Sequence, residues 1–183
     1  MTKSILSLLV LVFVTSIISC RKSENDPLLS LKTRNSRITG YWKLAEMELD
    51  YTFSYTYDTT TYEQNQHGSY DINDGIYTIE TDDSTYTWEY SYDMEITKEG
   101  TLIIHRKTDD LTQEFKDYWW WSDGTKKKTG ITMWGGIYRI DRLSNKELIL
   151  VGDYYNKSID PENEYKSDGT YNYKLTFEKD KNQ

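Results

Sequence analysis

Tyr86-Thr87-Trp88-Glu89-Tyr90-Ser91-Tyr92-Asp93-Met94-Glu95-Ile96 alternates without a break: every even position is aromatic or aliphatic, and every odd position is polar. A period of two sends successive side chains to opposite faces, so this stretch reads as a β-strand with one face on a core and the other in solvent. The final segment repeats the pattern, with Tyr171, Tyr173, Leu175 and Phe177 alternating with Asn172, Lys174, Thr176 and Glu178. Leu148 to Val151 is more continuously apolar. The composition agrees: the chain holds 17 Tyr, 6 Trp and 4 Phe, and Ala45 is its only alanine. Aromatic and β-branched residues suit strands, whereas a helical domain of this size would use many alanines.

Working outward, Trp42 and Leu44 hold even positions of the first long segment, while Ala45, Met47, Leu49, Tyr51, Phe53, Tyr55 and Tyr57 hold odd ones. A bulge or sharp bend near Ala45-Glu46 reconciles the two phases within one strand. Turn chemistry punctuates the remainder at Asn73-Asp74-Gly75, Asp82-Asp83, Lys98-Glu99-Gly100, Ser122-Asp123-Gly124, Ser144-Asn145 and Ser167-Asp168-Gly169. Segments at 40–57, 69–73, 76–81, 85–96, 101–107, 112–121, 130–142, 146–154 and 170–178 make eight or nine strands. The fold expected is all-β, an antiparallel up-and-down barrel of about eight strands, because closure removes exposed edges. Asp58 to His67 and Asn156 to Lys166 read as polar rim loops.

The N-terminal stretch is of another kind. Lys3 is followed by an apolar run from Ile5 to Ile18, interrupted only by Ser7, Thr15 and Ser16 and closed by Ile17-Ile18-Ser19-Cys20. The run is shorter than the roughly 20 apolar residues a spanning helix needs and suits the apolar region of a secretion signal. Its end resembles the lipobox of bacterial lipoproteins, which implies removal of residues 1–19 and lipidation of Cys20, the only cysteine. Residues 20–38 then form the lipidated cysteine and a tether, and 39–179 the barrel domain. Each buried acyl CH₂ contributes roughly 0.8 kcal/mol, so several chains would hold the protein on the outer membrane, at its periplasmic or cell-surface face.

The net charge is −8, with Lys and Arg scattered, which argues against nucleic acid. With Cys20 acylated, no thiol is left for catalysis or for a metal site. His67 and His105 stand outside any paired motif, and Asp71 to Gly75 reads as a hairpin turn rather than a calcium loop, its glycine falling one position early. No nucleophile elbow or zincin helix occurs, so the protein is expected to be no enzyme and to use no cofactor or metal.

Tyr118-Trp119-Trp120-Trp121 puts Trp119 and Trp121 on one face and Trp120 on the other with Tyr118. Trp120 either lies on its strand neighbours, stacked on a lysine of Lys126-Lys127-Lys128, or offers a platform to a sugar ring, a partner protein or the membrane interface. Trp88, Tyr90 and Tyr92, with Tyr171 and Tyr173, are the candidates for a cavity wall. Several buried hydroxyls need partners, which points to water or a polar ligand near that face.

Ile38-Thr39-Gly40-Tyr41-Trp42-Lys43-Leu44 carries the Gly-x-Trp that opens the first long strand. It resembles the lipocalin signature, and the chain looks like the lipocalin-like lipoproteins of Gram-negative bacteria. The resemblance implies that Gly40 turns the chain into the barrel, and that Trp42 packs across a closed end under an arginine from the last strand. Here that strand offers Lys174 and Lys179, with Arg139 and Arg142 on an earlier one. The function expected is non-catalytic binding of a small ligand or glycan by Trp88, Tyr90, Tyr92, Trp119, Trp120 and Trp121. The alternative is an interaction or inhibitor module with a filled barrel that engages another envelope protein.

Overall fold

The computed structural model describes residues 33–57, 60–109, 111–123, 128–160 and 165–180. The expected signal segment and Cys20 lie outside them. The chain enters through a short helix, α1 (Arg34–Ile38), whose first turn is capped where the Ser36 N–H donates to Thr33 Oγ1 at 3.2 Å. Eleven strands follow among the described residues: β1 (Gly40–Tyr57), β2 (Thr60–Asp71), β3 (Ile76–Thr81), β4 (Thr85–Ile96), β5 (Thr101–Thr108), β6 (Leu111–Tyr118), β7 (Trp120–Trp121), β8 (Gly130–Met133), β9 (Gly136–Leu143), β10 (Glu147–Asp160) and β11 (Tyr165–Lys179). They form one antiparallel sheet in the order β6-β5-β4-β3-β2-β1-β11-β10-β9-β8-β7.

Eleven strands stand where eight or nine were expected, because two expected strands are each divided. The 112–121 segment breaks at Trp119, and 130–142 turns back at Trp134-Gly135. Both central residues of that turn have left-handed backbones, φ +53° and +73°, the geometry of a tight hairpin turn matched to the twist of its strands.

The expected bulge is present: the β1–β11 register shifts between Leu44 and Glu46, leaving Ala45 unpaired in that ladder. It also divides the partners of β1. Before it, Gly40 to Lys43 pair with Ile96 to Asp93 of β4; after it, Glu46 to Tyr57 pair with β2. The Ala45 carbonyl accepts the Ile72 N–H at 2.9 Å, fastening the β2–β3 hairpin to the bulge. With β1 joined directly to β4, the core closes as a barrel, β1-β4-β5-β6 on one side and β7-β8-β9-β10-β11-β1 on the other, and β2 and β3 are extra strands. Across Trp119, between β6 and β7, the ring is continued by the chain itself.

The even face of β4 records the depth of the barrel. Tyr86 is 57% exposed, Trp88, Tyr90 and Tyr92 are half-buried, and Met94 and Ile96 are buried. At the Ile96 end the core is wholly apolar, formed by Ile38, Trp42, Leu44, Leu102, Ile131, Met133, Ile140, Leu143, Leu148, Leu150 and Phe177. Helix α1 covers this end, with Arg37 Nη1 donating to the Leu143 carbonyl. Trp42 is fully buried, its Nε1–H donating to the Ile38 carbonyl at 2.7 Å, and Lys179 Nζ lies 4.8 Å from its ring centroid. That ammonium also donates to the Arg37 and Thr39 carbonyls. Gly40, at φ +126°, is where the chain turns from α1 into β1, and a Cβ there would stand 2.7 Å from Lys179 Cε.

The expected rim loops are corrected by the structure. β2 begins at Thr60, so His67 sits in a strand; β10 runs to Asp160, and β11 begins at Tyr165. Polar residues read as loop when one face is assumed to be core, yet a strand solvated on both faces can be polar throughout. Here β1 supplies the template, with Tyr51, Phe53 and Tyr55 on one face. Tyr51 stacks on Tyr171 at 4.1 Å and Tyr55 on Tyr62 at 4.8 Å. The ladder of β10 with β9 spans Leu148 to Val151, so the β10–β11 hairpin overhangs the barrel by nine further residues of β10, roughly 30 Å at about 3.3 Å per residue.

Candidate functional site

Above the apolar core the even face of β4 turns from aliphatic to tyrosine, and there the barrel leaves a cavity of about 500 Å³. Its floor is Leu44, Ile104 and Phe177. Met47 of β1, Leu175 of β11 and Tyr90 and Tyr92 of β4 form the walls, Trp134 stands at the β8–β9 turn, and Arg106 of β5 faces Phe115 and Asp117 of β6. Phe115 is 43% exposed and marks the rim. The Arg106 guanidinium lies 5.4 Å from the Phe115 ring centroid and donates to Gln113 Oε1. Trp134 is clamped: its backbone N–H donates to Asp117 Oδ2 at 2.9 Å, and its ring meets Tyr92 and Tyr138 edge-on at 5.6 and 5.2 Å.

Burial pushes the Tyr90 phenol up to about 12, against a small opposing pull from Arg106. Burial also raises Tyr92 and Tyr138, with neighbouring phenols adding to it. In the unfolded chain these groups ionise near 10, so above that pH the unfolded state binds fewer protons than the folded one and stability falls. The Tyr90 contribution is complete below about pH 10 and lost as pH rises toward about 12, and those of the more strongly raised Tyr92 and Tyr138 are lost at still higher pH. Phenolate absorbance and circular dichroism followed together should show a late-ionising fraction that appears only as the native signal disappears. Complete ionisation with the fold intact would contradict the buried placement.

Of the residues singled out by sequence, Tyr90 and Tyr92 line this cavity and the others lie elsewhere. Trp88 packs edge-on against Tyr77 at 4.8 Å, on the inner face nearer the overhang. Trp119 is buried, its Nε1–H donating to the Thr97 carbonyl at 2.9 Å. Trp121 lies edge-on to Trp119 at 5.6 Å, donates from Nε1 to Asn35 Oδ1 at 2.9 Å, and has Lys128 Nζ 5.6 Å above its ring, so the lysine contact considered for Trp120 belongs to Trp121. Trp120 is 56% exposed. Gly40 and Trp42 sit at the opposite, closed end.

Arg106, Phe115 and Trp134 were not anticipated. The Gly135-Gly136 dipeptide marks a turn and is the one signal that points to Trp134. Nothing local distinguishes Arg106 from a solvated strand arginine.

A second concavity, about 730 Å³, lies on the outer face of β1, β11, β10 and β9 and is lined by charges of both signs, among them Glu48, Asp50, Asp153, Arg139 and Lys174. His67 Nδ1 lies 2.8 Å from Asp50 Oδ1, and His105 Nδ1 3.8 Å from Glu114 Oε2, both across paired strands. Among the described residues no group of three His, Cys, Asp or Glu side chains converges to hold a metal ion. Compared with models of known protein families and with curated proteins, the chain matches none.

Proposed function

We propose that this protein is a lipid-anchored envelope lipoprotein that binds a small ligand, without catalysis, inside a lipocalin-like barrel. The cavity beneath Tyr90, Tyr92 and Trp134 carries this reading: at about 500 Å³ it falls among ordinary small-molecule sites, apolar in most of its wall with a few convergent polar groups. The lipocalin likeness draws support from Gly40 at the strand entry, Trp42 buried beneath α1, and a cation of the last strand over its ring, Lys179 in place of arginine. The anchor reading rests on the Cys20 motif. Thr33, where the described chain begins, is at the closed end.

The second reading, a module that engages another envelope protein, is favoured by the half-exposed ladder of Tyr171, Tyr51, Phe53, Tyr55 and Tyr62 on the overhang. Titration of neutral lipophilic molecules and envelope glycans against indole fluorescence separates the two. Cavity binding predicts a saturable response from the lipophilic molecules that persists in Trp120→Phe and is lost in Trp134→Phe. Silence across the panel favours the second reading, and loss in Trp120→Phe moves the site to the surface. For the anchor, Cys20→Ala should release the protein from the membrane fraction, and retention at mature size would remove the lipid from the account.

A further inference from the structure

Strand β10 is paired on one side only for most of its length. Its ladder with β11 is regular from Glu147 to Asp160, whereas its ladder with β9 shifts register between Ile149 and Leu150 and ends at Val151. A bulge of that kind terminates pairing. Among the described residues no strand pairs with 152–160 on the β9 side, so this part of β10 is a sheet edge.

The hydrogen bonds at the start of β10 fix which groups the edge presents. The Lys146 carbonyl accepts the Lys179 N–H at 2.8 Å and so points to β11, and the Glu147 carbonyl accepts the Ser144 N–H at 2.8 Å and so points to β9. Successive residues of a strand turn their backbone groups to opposite sides, and the β10–β11 ladder has no shift. Asp153, Tyr155, Lys157 and Ile159 therefore aim their N–H and C=O groups away from β11, along the open edge. Such an edge templates pairing with another chain unless it is short or guarded by proline or lysines. Residues 152–160 hold no proline and one lysine. The other margin of the overhang is shorter: residues 60–65 of β2 extend past β3, and the Asn65 N–H is taken by Asp82 Oδ2 at 3.3 Å.

We infer that the β10 edge takes the same edge of a second copy of this chain, antiparallel about a two-fold axis normal to the sheet. The register that uses the whole edge sets Asn156 on the axis, Tyr155 opposite Lys157 of the second copy, and Asp153 opposite its Ile159. A slip of two residues would bring the second copy's Ile159 onto Val151, where β9 already pairs through Arg139. The charges agree with this register. No like charges stand opposite each other, and Lys157 of each copy lies across from Tyr155 and diagonal to Asp153 of the other, both of which are exposed in the single chain. The axis puts the tyrosine ladders of the two copies on one side of a continuous sheet. None of this depends on what the barrel holds.

The test uses the full chain carrying Cys20→Ala, in which an added thiol has no rival. Asn156→Cys should close a disulfide-linked dimer under mild oxidation, because two residues meeting as a non-hydrogen-bonded pair have Cα atoms about 4.5 Å apart. Asp153→Cys should not, since its two copies would lie roughly 20 Å apart along the strands. Sedimentation velocity should show a dimer that Lys157→Pro weakens about tenfold or more, as proline removes an edge N–H but no rung of the β10–β11 ladder. If circular dichroism shows that this variant does not fold, Lys157→Glu, which sets like charges diagonal to each other, should weaken the dimer, and adding Asp153→Lys should restore it. A chain that stays monomeric overturns the proposal, as does a dimer indifferent to Lys157→Pro and Lys157→Glu. Linkage through Asp153→Cys instead of Asn156→Cys overturns the register. Species that keep growing with concentration would mean that β10 meets β2 of the next copy, and would overturn the two-fold pairing.

Discussion

Replacing Trp42 with alanine should lower the free energy of unfolding by about 3–5 kcal/mol, the range for deleting a large buried aromatic side chain. Trp42 has no exposed surface, and its neighbours come from α1, β1 and β11, so no single element can move in to fill the space. The truncation also leaves the Ile38 carbonyl without its indole donor and Lys179 without the ring beneath its ammonium. Trp42→Phe, which keeps most of the volume and loses only the N–H, should cost distinctly less. Denaturant midpoints at constant m-value measure both, and a near-neutral Trp42→Ala would place the indole outside the core.

Phe177→Ala should be of similar size, about 3–5 kcal/mol, for a different reason. Its ring is fully buried between the apolar end and the tyrosine-lined end, in the cross-strand row Leu44, Phe177, Leu148, with Tyr92 at 6.2 Å above. It is the floor on which a ligand would rest. Removing it deepens the cavity, so the variant should accept longer apolar probes than the unaltered protein while unfolding at lower denaturant. A loss under about 1 kcal/mol, with no change in the probe length accepted, would mean that the surrounding strands collapse onto the gap.

The parts of this fold legible in sequence are those in which one residue's neighbours along the chain decide its environment. Strand β4 announced its inner face through eleven alternating residues, and the phase change at Ala45 located the bulge because a register slip moves every following side chain across the sheet. The facing of Trp119 and Trp121 against Trp120 followed from the same rule. What alternation could not reveal is how far a strand continues once both of its faces meet water, as in Thr60 to His67. Nor could it show which strands lie across the interior from one another. Arg106 reaches the cavity because β5 pairs with β4 and β6, and Trp134 because the β8–β9 hairpin ends beside Asp117. Both are facts of tertiary pairing, so the candidate site was half visible, through Tyr90 and Tyr92.

The β1–β11 ladder has a consequence in time. β1, made early, pairs along most of its length with β11, the last of the described strands, and Trp42 faces Lys179 across that seam. A chain emerging from the N-terminus can form the β1–β6 meander by short-range contacts, but the closing partner and the cation over Trp42 arrive only with β11. Folding rates fall as contacts grow distant in sequence, so barrel closure is expected to be the slow step. Until then the edge of β1 and the aromatic face of its far half are open to any other chain. While the sheet is unfinished, a chaperone that shields strand edges would protect it most between the appearance of Gly40 and that of Lys179.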